Sequence, residues 1–184
     1  SDDDEVTRLG KGFFSAYAPA FGRDGKHLFF LSDREFAPQI GSFEWNYSVD
    51  RETGVFAYAL AADSPNPFGP RNDETAPASG GDEEETEEKK EKVRVAIDFD
   101  GIAERVIRVP IDPDNISGIA LTDSHLLYVT GGPFYYGRQS DVETTLKAFD
   151  IEKRESDTVA EGISGLALAA DGKHVIVRQG GAYK

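Results

Sequence analysis

Histidines close to carboxylates are the residues of this chain best suited to acid–base or metal chemistry. Each of the three follows an aspartate by two or three residues, and the three are His27, His125 and His174. Such a pair could act as the general base for a serine nucleophile or could ligate a metal ion. All three occupy the same place in a repeated phrase, however, so we expect them on separate structural units. The sequence therefore predicts structural histidines and no catalytic residue.

Acidic clusters offer a second chemistry. Asp98-Phe99-Asp100-Gly101 and Asp112-Pro113-Asp114-Asn115 resemble calcium loops, but neither carries the twelve-residue ligand pattern with its terminal glutamate. Turn formation by Asp and Asn explains both clusters. Gly131-Gly132 and Gly180-Gly181 lack the strand-to-helix context of a phosphate-binding loop. We therefore predict no metal site and no cofactor.

Aromatic loops are the better candidates for binding. Two long connections, 33–47 and 131–142, are rich in aromatic residues and contain arginine. Aromatic side chains beside arginine are typical of recognition surfaces. The alternative is that they cover strand edges or pack on a neighbouring domain. The candidate recognition residues are Arg34, Phe43, Trp45, Tyr47, Phe134, Tyr135, Tyr136 and Arg138.

One sequence phrase occurs three times in the chain. Each copy predicts two strands joined by a tight turn, and these hairpins must position the residues named above. The copies are Phe21–Leu31, Ile119–Val129 and Leu166–Val177, and the first and last contain Asp-Gly-Lys-His. Asp-Gly favours a two-residue hairpin turn, because glycine readily adopts positive φ angles. Leucine, aromatic and β-branched residues follow each histidine and favour a buried strand.

The spacing of the copies predicts the fold. Asp123 and Asp171 lie 48 residues apart, and Asp24 and Asp123 lie 99 apart, a stretched double step or one unit that carries an insertion. A repeat of about 40 to 50 residues built of short strands is the signature of a β-propeller with one blade per repeat. We therefore predict an all-β fold: a β-propeller fragment of four-stranded antiparallel blades, about two and a half in number.

The chain 1–184 divides into four parts under this hypothesis. They are the outer strand of a preceding blade (1–12, with the strand at Val6–Leu9), one blade (13–114), a second blade (115–163) and the first half of a third (164–184). Within the first blade, alternating residues predict strands at 93–97 and 103–109. An acidic insert at 70–92 has no apolar periodicity, so we predict that it is disordered.

Composition excludes several partners. The formal net charge of −14 argues against nucleic acid and against an anionic membrane surface. Segments Asp2–Glu5 and Asp82–Lys92 each contribute −4, so the remainder carries −14 + 8 = −6. The chain has no cysteine, and we see no signal peptide or membrane span. We expect a cytoplasmic location, with the periplasm as the alternative.

Both ends look cut, because the chain lacks methionine and stops within a repeat. We therefore expect an excised piece of a longer protein. Two and a half blades would leave sheet edges unpaired at both ends. Partner fragments that complete the ring, or self-association through the open edges, are the expected remedies.

Several stretches resemble one family in particular. The phrase Asp24–Arg34 resembles the Asp-Gly-Lys…Ser-Asp-Arg phrase shared by TolB-type and tricorn-type propellers. Phe36-Ala37-Pro38, Ala62–Phe68, Ile97–Val106 and Phe149–Glu155 resemble later blades of the seven-bladed propeller of tricorn proteases. The resemblance covers nearly the whole chain except the acidic insert.

The resemblance implies a non-catalytic part of a serine protease. In that family the propeller is thought to guide peptides into the proteolytic chamber, while the catalytic residues belong to later domains. The implied partners are peptides or unfolded polypeptide, with the remaining blades and protease domains of the parent chain. Small residues on the inner strands would keep a channel open, namely Gly118, Ala120, Gly165 and Ala167. The alternative is a TolB-like protein- or ligand-binding propeller without protease activity.

Overall fold

The computed structural model describes residues 6–10, 12–37, 39–40, 47–48, 51–70, 93–133 and 140–184. These residues form short strands and one 3₁₀ helix, η1 (Ile102–Glu104). The strands are β1 (Tyr17–Phe21), β2 (His27–Ser32), β3 (Gln39–Ile40), β4 (Tyr47–Ser48), β5 (Gly54–Ala59), β6 (Val106–Arg108), β7 (Ile116–Leu121), β8 (His125–Thr130), β9 (Thr145–Asp150), β10 (Glu155–Ala160), β11 (Ile163–Leu168), β12 (Val175–Gln179) and β13 (Ala182–Tyr183). No helix within these ranges is long and apolar enough to cross a membrane.

Three antiparallel sheets contain most of these strands. The first has the order β1-β2-β5-β6, the second β7-β8-β9-β10, and the third β11-β12-β13. A separate hairpin, β3–β4, lies within the aromatic loop 33–47. The all-β, antiparallel prediction is confirmed, with two four-stranded sheets and a partial third. The short strand β13 extends the third sheet beyond the two strands expected.

The sheets stack face to face, because successive side chains of a strand point to opposite faces and both faces of β2 and β5 carry apolar residues. In β2 and β5, one set of alternating residues faces the second sheet, and the other set, which includes Phe30 and Phe56, faces away from it. The cluster between the first and second sheets contains Phe29, Leu31, Val55, Ala57, Val109, Ile111, Ile116, Leu121, Leu126, Tyr128 and Phe149. A smaller cluster of Leu127, Leu146 and Ile163 joins the second sheet to the third. Burial of both faces is the arrangement of neighbouring propeller blades.

The Asp-Gly turns are longer than predicted. The amide of Gly22 donates to the carbonyl of His27 at 2.8 Å, and that of Gly25 donates to Gly22 at 3.0 Å, so four residues form the loop. Only the glycine has a positive φ, +69° at Gly25 and +70° at Gly172. The two-residue prediction was wrong because a longer loop that needs one left-handed residue also selects Asp-Gly. The tip at Asp123-Ser124, in the degenerate copy, is the short one.

Two predicted strands are absent from the described sheets. Residues 6–9 form no strand, and Leu9 instead packs against the aromatic face of the first sheet. Residues 93–97 also lie outside the sheets. Strand pairing requires a free edge, and β6 already occupies the outer edge of β5. The prediction at 93–97 therefore failed because alternation of residues says nothing about whether a partner edge is vacant.

Candidate functional site

The histidines stabilise the turns beside them. His27 is buried, with Nε2 3.1 Å from the carbonyl oxygen of Pro65 and Nδ1 3.4 Å from Oδ2 of Asp24. His174 repeats the second contact at an exposed site, where Nδ1 lies 2.7 Å from Oδ2 of Asp171. In the Asp-Gly-Lys-His phrase the aspartate therefore stabilises the turn through a backbone amide and also holds the imidazole.

His125 makes the contacts that come nearest to a catalytic arrangement. Its Nδ1 lies 2.8 Å from Oγ of Ser124, and its Nε2 lies 3.8 Å from Oδ2 of Asp150. The second distance exceeds that of a hydrogen bond. The serine and histidine are also adjacent in sequence, at the turn where β8 begins. The arrangement has the residue types of a hydrolytic triad without its geometry.

A cleft of ≈ 600 Å³ opens between the turn ends of the first and second sheets. His27 and His125 both line it, so two of the histidines share a cavity although they belong to separate sheets. Its apolar lining includes Phe29, Leu121 and Ile151. Among the described residues no group of three or more histidines and carboxylates could hold a metal ion. The charged groups at the cleft are Arg23, Asp24, Asp123, Asp150, Glu152, Lys153 and Arg154.

Arg23 joins the turns of all three sheets. Its Nε lies 2.8 Å from Oδ1 of Asp123 in the second turn, and its Nη2 donates to the carbonyl of Asp171 in the third at 3.3 Å. A Cβ built on Gly172 would lie 2.5 Å from the guanidinium, so glycine leaves room for it. We call this set of contacts the arginine bridge. No sequence pattern indicated these contacts, because the partners lie about one hundred or more residues away.

Arg154 ties the loop after β5 to the second sheet. Its Nη2 donates to the carbonyl oxygens of Pro67 at 3.2 Å and Gly69 at 2.7 Å. Within the described residues its Nε is buried without a hydrogen-bond partner. Arg154 also has a φ of +62°, at the β9–β10 turn. These contacts explain the position of the Ala62–Phe68 phrase, which packs Phe68 against Phe149.

The Ser-Asp-Arg phrase organises the end of β2. Ser32 Oγ donates to the carbonyl of Ser15 at 2.5 Å and accepts from Nε of Arg34 at 2.8 Å. Asp33 Oδ1 accepts from the hydroxyls of Tyr17 at 2.8 Å and Thr53 at 2.9 Å. Each polar side chain in the phrase thus fixes a neighbouring segment.

Arg34 is the one candidate recognition residue whose side chain the structure describes. Its guanidinium carbon lies 4.5 Å from the ring centre of Phe56, 5.6 Å from that of Phe30 and 5.5 Å from that of Phe14. The cation therefore already has aromatic partners. Its role in recognition stays a prediction. The other seven lie outside the described side chains: Phe43, Trp45, Tyr47, Phe134, Tyr135, Tyr136 and Arg138.

Arg105 is a structural centre that sequence reasoning missed. Its guanidinium donates to four backbone carbonyls: Ala59 at 3.1 Å, Leu60 at 3.2 Å, Asp100 at 2.7 Å, and Asp98. Backbone carbonyls leave no trace in a sequence, so only the family phrase around Arg105 could have singled it out. The arginine fixes the loop that leads into β6.

The small inner-strand residues do not share one environment. Ala120 packs against the cluster between the second and third sheets, whereas a Cβ at Gly118 would meet nothing within 4 Å. Gly165 and Ala167, at the equivalent positions in β11, are exposed. In each sheet these positions lie on the face that points away from the preceding sheet. That face of the second sheet packs on the third sheet, whereas that face of the third sheet is exposed. Their role in a channel stays a prediction.

Turn hydrogen bonds lower the pKa of two aspartates. The amide of Lys173 and then the His174 side chain lower the pKa of Asp171 to about 2. The amide of Lys153 is the main cause of the lowered pKa of Asp150. Both shifts arise because the carboxylate accepts backbone hydrogen bonds, and they accompany turn formation without a buried catalytic environment.

Comparison with known proteins identifies similar sequences over most of the chain. The profile of the family described as "Tricorn protease second beta propeller domain" matches residues 2–184. Tricorn protease homolog 1 of Streptomyces coelicolor is 28% identical over 178 residues, 93% of this chain and 17% of the relative. Tricorn protease of Thermoplasma acidophilum is 30% identical over 167 residues, 89% of this chain and 14% of the relative.

A solved structure supports the same relation. The crystal structure of the tricorn protease superposes with a TM-score of 0.68 at 26% sequence identity, over 93% of this chain and 16% of that chain. The stacked sheets described above are therefore blades of a β-propeller, as predicted. The chain spans less than a fifth of the length of each of these relatives.

Proposed function

Because the chain belongs to the family of the tricorn protease second β-propeller domain, we propose that it guides peptide substrates towards a proteolytic chamber and docks neighbouring domains. The family match over residues 2–184 is the observation that carries this proposal. The whole protein would be a serine peptidase of the tricorn type. This chain would contribute a passage or holding surface and no catalytic group.

The packing of the sheets supports a passage role. Strands β1 and β7, the first of their sheets, contact each other, so successive inner strands lie side by side. In a propeller such strands surround the central channel. The turns that follow β1, β7 and β11 meet at the arginine bridge. A peptide that travelled along the inner strands would therefore pass these turns.

Exposed apolar residues support the docking role. Ile176 of β12 is 50% exposed on the face of the third sheet that points away from the second, and Ala167 lies exposed in the neighbouring strand. Phe13 is 88% exposed near the first sheet. We propose that adjacent blades of the parent protein cover these surfaces. In the absence of those blades, self-association of the chain would cover the same surfaces.

The test of a non-catalytic role is hydrolysis of fluorogenic peptides by the chain alone. We expect no turnover above buffer, and identical traces for the wild type and for Ser124→Ala, which removes the hydroxyl that contacts the His125 imidazole in the described structure. Turnover that disappears in Ser124→Ala would contradict the proposal. A matched control is Ser117→Ala, another exposed serine of the second sheet.

A further inference from the structure

The segment 93–97 has the composition of a strand but pairs with no strand in the part of the chain that the structure describes. Its sequence, Val-Arg-Val-Ala-Ile, alternates and is rich in β-branched residues, which favour sheet pairing. Yet none of its backbone groups hydrogen-bonds to any other described part of the chain. Val93, Val95 and Ile97 are 56%, 48% and 37% exposed. An exposed segment whose amides and carbonyls have no partner among the described residues is a template for an additional strand.

The segment is nevertheless held in position at both ends. A Cβ built on Gly25 would lie 2.5 Å from Cγ1 of Val93, so this end rests against the β1–β2 turn. At the other end the amide of Asp98 donates to the carbonyl of Leu60 at 2.9 Å, and Oδ2 of Asp98 accepts from the amide of Ala62 at 2.8 Å. A fixed edge is better prepared for pairing than a free one, because less conformational entropy is lost on binding.

The charged residues beside the segment favour an acidic partner. A cleft of ≈ 220 Å³ adjoins it, with Lys26, Arg94 and Asp63 as its charged residues. The lining of this cleft therefore carries one net positive charge, in a chain whose net charge is −14. The cleft could hold one side chain of a strand that lies along 93–97, and an acidic side chain would complement it.

We propose that residues 93–97 form a docking strand that binds an extended acidic peptide by β-strand addition. The inference rests on the proposed function and specifies where and how the peptide is held. Main-chain hydrogen bonds would supply affinity, and the basic cleft would supply preference. The position beside the β1–β2 turn places the docked peptide near the arginine bridge.

The test uses a fluorescein-labelled, capped nine-residue peptide in which valine alternates with glutamate or threonine. Binding is followed by fluorescence anisotropy, and the 93–97 amides by hydrogen exchange. Val95→Pro and Ala96→Pro are both made, because adjacent amides of a strand point to opposite sides and one must face the guest. Circular dichroism checks that each variant keeps its fold. The matched peptide is N-methylated at alternate residues, which preserves side chains but removes donors.

We expect protection of the 93–97 amides, at least tenfold weaker binding by one proline variant, and no binding of the methylated peptide. Arg94→Glu should weaken binding at least threefold, whereas Arg178→Glu on the third sheet should leave it unchanged. Binding without protection or without a proline effect would overturn the inference and leave the proposed function standing. Binding of unfolded, carboxymethylated α-lactalbumin without binding of the peptide would also overturn the inference and leave the proposed function standing. If neither the peptide nor the α-lactalbumin binds, both the inference and the proposed function are overturned.

Discussion

Single polar residues in this protein act on the backbone more than on each other. The aspartates of the turns accept amide hydrogen bonds, and the partners of Arg105 among the described residues are carbonyls. Sequence reasoning could predict the first group, because aspartate before glycine has a known turn preference. It could not predict Arg105, because carbonyl partners are the same for every residue type.

We predict that Asp171 titrates with a midpoint near its pKa of about 2. Because this pKa is lower than in the unfolded chain, the stabilising contribution is present above the unfolded value of 3.8 and disappears as pH falls through about 2. The measurement is the pH dependence of the carboxyl carbon shift of Asp171 by NMR.

His174→Asn provides the control for that titration. It removes the imidazole but keeps the Lys173 amide, the larger cause, so the midpoint should rise only part of the way to 3.8. A wild-type midpoint at 3.8 would show that the turn hydrogen bonds do not form in solution.

Among the strands, the sequence could predict which residues form strands but not which strands pair with each other. The apolar residues that follow His27 predicted a buried strand, and β2 is buried as expected. The alternation at 93–97 also predicted a strand but failed, because only the three-dimensional order of strands shows that β6 occupies the outer edge of β5. The Asp-Gly phrase likewise located the hairpins without fixing the length of their loops.

The loop before β6 should depend on Arg105. Replacement by alanine would leave up to four carbonyl oxygens without their charged donor, and we expect a loss of about 2–3 kcal/mol in the free energy of unfolding. Urea denaturation measures it. Arg108→Ala, which removes a partly exposed ion pair to Glu35, should cost only about 0–1 kcal/mol. Equal losses in the two variants would contradict the assigned role of Arg105.

For the whole molecule, the repeat spacing predicted the architecture, and the family phrases predicted its relatives. The clusters between neighbouring sheets are contacts that only the structure shows. The contacts between blades through Arg23 and Arg154 could not be read from the sequence, since their partners lie about 85 to 150 residues away.

We predict that the isolated chain self-associates through the open face of the third sheet. Light scattering should show an apparent mass that rises with concentration. Ile176→Lys should reduce this rise, because Ile176 lies on that face. Val159→Lys, at an equally exposed site on β10, should not. A monomer of constant mass across the dilution series would contradict the prediction.

The arginine bridge has a mechanical consequence. Since one side chain spans three successive blades, its length limits how far their turn ends can separate. Separation of these turns must first displace the guanidinium from Asp123 or from the carbonyl of Asp171. The turn ends of the three sheets are therefore tethered by the reach of a single arginine, and a side chain at position 23 too short to reach both partners would remove that tether.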